Sequence, residues 1–142
     1  MKHRTVNTFL VCVSLCVLAS GCGAMKKAKP AAEQAISDFH RQFNEQKFGD
    51  IYGGSHADFK AATTEKQFND LLSAVHRKLG TVKISNTKTW NVATFNMTTR
   101  IMMVQDTDFD QGKGAENFAF RINGDKAVLL GYNINSSDLI TK

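Results

Sequence analysis

The stretch that decides the fold is ENFAFRINGDKAVLLGYNI, residues 116–134. Side chains alternate along its first half, which places on one face of a strand Glu116, Phe118, Phe120 and Ile122. The next residues, Asn123-Gly124-Asp125, favour a tight hairpin turn. A second alternating run follows and places on one face Val128, Leu130, Tyr132 and Ile134. The stretch therefore predicts an antiparallel β-hairpin with one buried face.

Two further extended segments precede this hairpin. The first is marked by Val82, Ile84, Trp90 and Val92. The second runs over residues 97–105 and is rich in Thr, Ile and Val, which favour strands. Together with the hairpin they predict an antiparallel sheet of about four strands.

Before Gly80 the apolar residues recur at helical spacing. Pro30 is expected to begin a helix that ends near Gln46, with an apolar stripe at Ala32, Ile36, Phe39 and Phe43. Short helical turns are expected over residues 47–52 and 55–60. Residues 64–67, Thr-Glu-Lys-Gln, have the form of a capping box, and the helix that follows buries Phe68, Leu71, Leu72, Val75 and Leu79. Helices followed by strands predict an α+β domain, with helices packed on one face of a curved sheet.

The N-terminal segment has the features of a secretory leader. Lys2 and Arg4 form a basic start, and an apolar run follows that is shorter than the ~20 residues of a membrane-spanning helix. The run ends in Leu-Ala-Ser-Gly-Cys, residues 18–22, which resembles the lipobox of bacterial lipoproteins. The resemblance implies cleavage after residue 21 and acylation of Cys22.

These features divide the chain into three parts. We expect a cleaved signal peptide over residues 1–21, a flexible lipid-anchored tether over 22–30 and a single α+β domain over 31–142. The thiols of Cys12 and Cys16 belong to the leader, so the sequence predicts neither a redox pair nor a zinc site. Gly23 after the acylated residue favours the outer membrane, with the domain facing the periplasm.

The positive charge of the chain lies outside the predicted domain. The formal net charge is +5, but five of the 18 basic residues precede residue 31, and the remaining 13 equal the 13 acidic residues. A neutral domain lacks the basic face that nucleic-acid binding requires. We therefore expect no nucleic-acid partner.

The order of elements resembles the nuclear-transport-factor-two-like superfamily of cone-shaped domains. Within it, four segments, DIYGGSHADFK, RKLG, ENFAF and GYNI, resemble a bacterial envelope family, domain of unknown function 4019. The resemblance covers residues 31 to 135. It implies the fold, and a pocket between sheet and helices that some members use for acid/base catalysis and others for binding or dimerisation.

One loop has part of a calcium-binding pattern. Asp106, Asp108 and Asp110 occupy the first, third and fifth positions of a calcium loop, but Gln111 and Asn117 replace the required Gly and Glu. The pattern favours a polar hairpin loop over a metal site. The three histidines after the leader, at 40, 56 and 76, lack zinc-site spacing, and those at 40 and 76 are expected at the surface. We expect no metal and no cofactor.

A pocket, if present, would be lined by the polar or amphipathic residues Tyr52, Trp90, Arg100, Glu116 and Tyr132. Glu116 shares a strand face with two phenylalanines, so burial would raise its pKa towards a value useful in acid/base catalysis. A cross-strand salt bridge with Arg100 would lower that pKa instead. The aromatic residues are better explained as core.

The sequence supports three hypotheses about function. The first is a lipid-anchored envelope protein whose non-enzymatic domain binds a small ligand or another envelope protein. The second is a hydrolase or isomerase that uses Glu116 as acid or base. The third is a surface adhesion or accessory factor. Phosphate loops, dinucleotide fingerprints and nucleophile elbows do not occur in the sequence.

Overall fold

The computed structural model describes the backbone of residues 20–141 and the side chains of residues 26–141. Its elements in chain order are α1 (Ser20–Asn44), α2 (Phe48–Gly53), α3 (Ala57–Ala62), α4 (Glu65–Leu79), β1 (Val82–Phe95), β2 (Thr98–Phe109), β3 (Gly112–Asn123), β4 (Lys126–Asn135) and α5 (Asp138–Thr141). Residues 1–19 of the leader predicted over 1–21, with its two cysteines, lie outside the described residues, as does the side chain of Cys22. Within the described part, no helix has the length and apolar character needed to cross a bilayer.

The four strands form a meander. Each strand pairs antiparallel with the next along the chain, in the order β1-β2-β3-β4. Helices α1 and α4 contribute buried apolar residues to the same core as one face of this sheet. The predicted α+β fold, with helices on an antiparallel sheet, is confirmed.

The predicted β3–β4 hairpin is present, with one shift of register. Asn123 pairs with Lys126, and Gly124 has a φ of 65°, which glycine adopts without steric cost. The pairing then shifts, because Phe120 lies opposite Leu129 while Ala119 lies opposite Gly131. This irregularity inserts an extra residue into β4. In the part of β4 that precedes it, the side chains expected to face inward face outward, and those expected to face outward face inward. As a result Leu129 is buried, and the prediction that Val128 and Leu130 share the inner face with Tyr132 and Ile134 is wrong.

Helix α1 begins earlier than predicted. The helix already includes Ser20, so the expectation that it starts at Pro30 is wrong, and the segment predicted as a flexible tether, residues 22–30, is helical. Pro30 is exposed inside the helix, although it offers no N–H to the preceding turn. The reason is packing on both sides of Pro30: Ala28 and Ala32 are both fully buried, so tertiary contacts outweigh the local cost of the proline.

Helix α4 confirms the predicted capping box. The Thr64 side chain accepts a hydrogen bond from the Gln67 N–H, and the Gln67 side chain accepts one from the Thr64 N–H. Gly80 ends the helix with a φ of 79°. Phe68 and Leu72 are fully buried in the core, where Phe118 forms the centre of an aromatic cluster that contains Phe39, His40, Phe120 and Tyr132.

Candidate functional site

Glu116 lies in the core beneath α1. It is 1% exposed, although a carboxyl group is rarely buried without partners. Its Oε2 accepts a hydrogen bond from the Thr107 hydroxyl at 2.6 Å and lies 2.8 Å from His40 Nε2. Its Oε1 accepts a hydrogen bond from the Tyr132 hydroxyl at 2.8 Å. We call these four residues the Glu116 cluster; its hydrogen bonds offset the cost of burying the carboxyl group.

Four elements position the Glu116 cluster. In β2 and β3 the alternation of the strands turns Thr107 and Glu116 towards the helices. In β4 Tyr132 pairs with Phe118, which brings its hydroxyl back towards the carboxyl group. From α1, His40 comes one helical turn after the buried Ile36 and reaches the same point from above.

The environment of Tyr132 shifts its ionisation. Burial raises the pKa of Tyr132 well above its ordinary value of 10.0, because a phenolate would lose its hydration. The negative charge of Glu116 and the hydrogen bond to it raise this pKa further. Tyr132 therefore stays a hydrogen-bond donor to Glu116.

Polar side chains continue from the Glu116 cluster to the edge of the sheet. The Thr107 hydroxyl lies 3.0 Å from Ser85 Oγ, and Ser85 Oγ donates to Gln105 Oε1 at 3.2 Å. Gln105 in turn donates from Nε2 to the Thr87 hydroxyl at 3.0 Å. A row of hydrogen-bonded side chains thus crosses all four strands, from Tyr132 on β4 to Thr87 on β1.

This row ends in a groove between α1 and β1, which we call the α1–β1 groove. The groove has a volume of about 420 Å³ and is lined by Glu33, Ile36, Ser37, His40, Arg41, Asn44, Val82, Lys83, Ser85, Thr87 and Gln105. His40 is its link to the buried cluster, since the ring lines the groove while Nε2 contacts Glu116. His40 Nδ1 has no hydrogen-bond partner among the described residues.

The charged residues of the α1–β1 groove are paired. Glu33 forms an ion pair with Lys29, and Lys83 forms one with Asp110 at 2.8 Å. Arg41 contacts Asp38 at 3.3 Å. The groove therefore offers hydroxyl, amide and imidazole groups without an unpaired charge among these three lining residues.

A second groove lies on the other side of α1, between α1, α2 and β4. Its volume is about 470 Å³, and it is lined by Ala31, Gln34, Ala35, Asp38, Phe39, Gln42, Asp50, Ile51, Gly54, Phe120 and residues 125–129. Apolar side chains such as Phe39 and Ile51 form much of its wall. Glu116 is not among the residues that line this second groove.

The structure brings together only two of the five residues predicted to line a pocket. Glu116 and Tyr132 share a hydrogen bond. Arg100 pairs with Arg121, whereas Glu116 pairs with Gln105, which excludes the alternative of a salt bridge between Arg100 and Glu116. The physical reason is register: five residues separate Arg100 from Gln105, and an odd separation turns a side chain to the opposite face of the sheet.

The other two predicted residues lie elsewhere. Tyr52 is half-buried beside Phe59 and Phe68, and its hydroxyl donates to the Thr63 carbonyl at 2.9 Å. Trp90 lies opposite Met103 on the edge strand β1 and is 50% exposed. Tyr52 therefore packs against the core, as the alternative explanation of the aromatic residues expects. Trp90 does not belong to the core.

Sequence reasoning missed His40, which was expected at the surface. The ring is 8% exposed. The signal was available, because residue 40 is four positions after Ile36 and three before Phe43, which places it within the apolar stripe. His76 is also not a simple surface residue: its ring packs against Phe43 and Phe48, and Nε2 is buried without a hydrogen-bond partner among the described residues.

The aspartates of the calcium-like pattern are each paired with a lysine. Asp106 contacts Lys88 at 3.4 Å, and Asp108 contacts Lys113 at 3.0 Å. Asp110 accepts hydrogen bonds from Lys83 and Thr81, which lower its pKa from 3.8 to about 2. Within residues 26–141 no group of three or more metal-ligating side chains comes together.

Comparisons with known proteins add little to this geometry. No family model matches the chain, and no curated protein matches it. Among solved structures the chain is similar to Bd1075 of Bdellovibrio bacteriovorus, with 14% sequence identity and a TM-score of 0.40. The match covers 72% of this chain and 40% of that protein. A likeness this weak carries no argument about function.

Proposed function

We propose that this chain is an envelope lipoprotein, anchored by lipid on Cys22 to the periplasmic face of the outer membrane, whose domain binds a small polar ligand in the α1–β1 groove. The Leu-Ala-Ser-Gly-Cys sequence and the basic, apolar leader support the anchor. The groove supports the binding role. In this proposal the domain binds and does not catalyse a reaction.

One observation carries the binding role. His40 lines the α1–β1 groove while its Nε2 is held at 2.8 Å by the buried Glu116. A ring fixed in this way presents its other nitrogen in one orientation, and a preorganised polar group increases the affinity for a ligand. The hydroxyl and amide groups of Ser85, Thr87 and Gln105 line the same groove. These groups suit an uncharged ligand rich in hydroxyl or amide groups.

Native mass spectrometry of the protein extracted from its own envelope tests the binding role. The wild-type chain should carry a small ligand, and His40→Gln should lose it. Gln34→Ala, in the second groove, is the matched control and should keep the ligand. A ligand that persists in His40→Gln, or a partner protein without a small ligand, would contradict binding in the α1–β1 groove.

The anchor is tested separately with Cys22→Ala. This variant should leave the membrane fraction or accumulate with its leader uncleaved, because the acylated thiol is the proposed attachment. Ser20→Ala keeps a small residue in the sequence and should fractionate as the wild type does. A mature Cys22→Ala protein that still sediments with membranes would show that the anchor lies elsewhere.

An acid/base enzyme is the second candidate, and the His40–Glu116 contact favours it. Both oxygens of Glu116 are hydrogen-bonded and the side chain is 1% exposed, so His40 rather than Glu116 would meet a substrate. Glu116→Gln distinguishes the two roles. A species that accumulates on this variant but is absent from the wild type would favour catalysis, whereas the same ligand on both favours binding.

A further inference from the structure

The β1–β2 hairpin ends in exposed apolar side chains. Phe95 is 78% exposed and Met97 is fully exposed. Only Asn96 separates them, because Phe95 pairs with Thr98 across a two-residue loop. We call residues 95–97 the hairpin tip. Exposed apolar side chains that lie next to one another mark candidate interaction sites on a protein surface.

The backbone of the hairpin tip points to the same conclusion. Asn96 has a φ of 46° and Met97 a φ of 60°. Asparagine tolerates the left-handed region, but the second position of such a turn is usually glycine. A methionine there is strained, because its Cβ crowds the backbone in the left-handed region. Since Met97 makes no buried contact, neither backbone preference nor packing explains this residue.

The hairpin tip lies at the same end of the molecule as the N-terminus of α1. Asn44, at the last turn of α1, hydrogen-bonds through its side chain to both the N–H and the carbonyl of Val82, at the start of β1. Helix α1 therefore ends beside the start of β1 and crosses the sheet from there, so that its N-terminal half lies towards the end that contains the hairpin tip. Ala31 lines a groove with residues 125–127 of the β3–β4 turn, which the register places at this same end. At about 1.5 Å per residue, Cys22 lies ~13 Å beyond Ala31 along the helix.

The exposed charges at this end are mainly positive, although the acidic Asp125 lies beside Lys126. Four exposed cations, Lys26, Lys27, Arg100 and Lys126, have no ion pair among the described residues. Arg100 is two residues behind the start of β2, and Lys126 begins β4. Basic side chains just behind an inserted apolar group are placed to meet anionic lipid headgroups.

We propose that the hairpin tip inserts into the lipid surface that carries the acylated Cys22, with Arg100 and Lys126 at the level of the headgroups. This proposal rests on the proposed lipid anchor. The two contacts hold the domain in one orientation on the membrane. Insertion to a depth of about 5–10 Å accommodates two side chains at the end of a hairpin.

A lipid surface fits the hairpin tip better than a second copy of the chain. A stable protein interface buries about 800 Å² on each partner. The two exposed apolar side chains of the hairpin tip supply only a small part of that area. A lipid surface requires no such extended area, and the exposed cations at this end match anionic headgroups.

The test uses the acylated protein in vesicles of phosphatidylethanolamine and anionic phosphatidylglycerol. An environment-sensitive fluorophore is attached to Met97→Cys, and the matched control carries it on Lys113→Cys, an exposed site at the opposite end of the sheet. We expect a blue shift of the emission and quenching by nitroxide lipids at position 97 only. Phe95→Ser in the position-97 chain should reduce the quenching, which shows that the fluorophore does not itself drive insertion.

Flotation of the same samples separates the two proposals. Chains that float with vesicles but show no quenching at position 97 would overturn insertion of the hairpin tip and leave the anchor intact. Chains that do not float would overturn the anchor and the insertion that rests on it. A blue shift at position 97 without vesicles, growing with protein concentration, would identify a second copy as the occupant and overturn the lipid surface.

Discussion

Glu116 is the one acidic side chain that is buried among the described residues. The burial of its carboxyl group depends on partners from three other elements, because α1, β2 and β4 each supply one hydrogen bond. A buried carboxyl group that loses a partner costs about 1–3 kcal/mol or more. The Glu116 cluster therefore ties the first helix to the last strand through directed bonds as well as apolar contacts.

Tyr132→Phe should change how the stability of the chain depends on alkaline pH. Burial raises the pKa of Tyr132, so folding favours its neutral form. That contribution is fully present below the unfolded pKa of about 10 and is lost as the pH rises above it, by up to ~1.4 kcal/mol per pH unit. The variant should be less stable than the wild type at neutral pH. Above pH about 10, however, its free energy of unfolding should fall less steeply than that of the wild type.

Denaturant unfolding measured at a series of alkaline pH values checks this expectation. Thr107→Val is the matched control, because it removes another hydrogen bond to Glu116 but no titrating group. It should lower the free energy of unfolding at every pH and keep the steep alkaline decline. Parallel curves for Tyr132→Phe and the wild type would contradict the assigned cause.

At the scale of the element, the two hairpins at one end of the sheet use different loop chemistry. Gly124 adopts a φ of 65° in the β3–β4 turn, where glycine pays little steric cost. Met97 adopts a φ of 60° in the β1–β2 turn, where a residue with a side chain is strained. The two turns thus form a matched pair with opposite expected responses.

Met97→Gly should raise the free energy of unfolding by about 1 kcal/mol, because it relieves the left-handed strain. Gly124→Ala should lower it by a similar amount, and a Cβ at that position meets no atom within 4 Å, so the effect comes from the backbone alone. Thermal or denaturant unfolding measures both. A destabilised Met97→Gly would mean that Met97 packs against the domain.

Pro30→Ala should stabilise α1. An interior proline costs up to about 3 kcal/mol, and the substitution restores an N–H to the helix. Circular dichroism should show more helix together with a higher free energy of unfolding. Lys27→Ala, at an exposed position, is the control and should change the stability by less than about 0.5 kcal/mol. An unchanged Pro30→Ala would instead support the flexible tether expected from the sequence.

At the scale of the whole molecule, the aromatic cluster joins helices to sheet. The Phe118 ring lies 5.1 Å from those of Phe39 and Tyr132 and 5.8 Å from that of Phe120, between ring centroids. Phe118→Ala should lower the free energy of unfolding by about 3–5 kcal/mol, with helical and tertiary signals lost in one transition. Phe95→Ala, at an exposed site, should change it by less than about 0.5 kcal/mol. Separate transitions would mean that the helices and the sheet fold independently.

The fold was predictable where local signals agree with packing. The capping box at Thr64, the stop at Gly80 and the hairpin at Gly124 depend on neighbouring residues, and all three occur. The start of α1 and the register of β4 were not predictable, because packing of Ala28 overrides the proline signal and one irregularity shifts Leu129 inward. Neither cause appears in a local pattern.

The candidate site was predictable only in part. Alternation identified Glu116 and Tyr132 as inward-facing residues, and they share a hydrogen bond. The partner of Glu116 depends on strand register, which excludes Arg100, and on the rotation of α1, which supplies His40. Spacing along one element gives the direction of a side chain but not which distant side chain it meets.

The packing of α1 also sets the order in which the chain can fold. Helix α1 is made before the strands, but β3 and β4, which complete the sheet that covers it, are made last among the strands, and His40 and Glu116 are 76 residues apart. A growing chain therefore keeps α1 only partly covered until β3 and β4 have been made. Stalled chains that end before Lys126 should be degraded quickly by protease, and chains that extend past Asn135 should resist it. Early resistance would show that a smaller unit closes first.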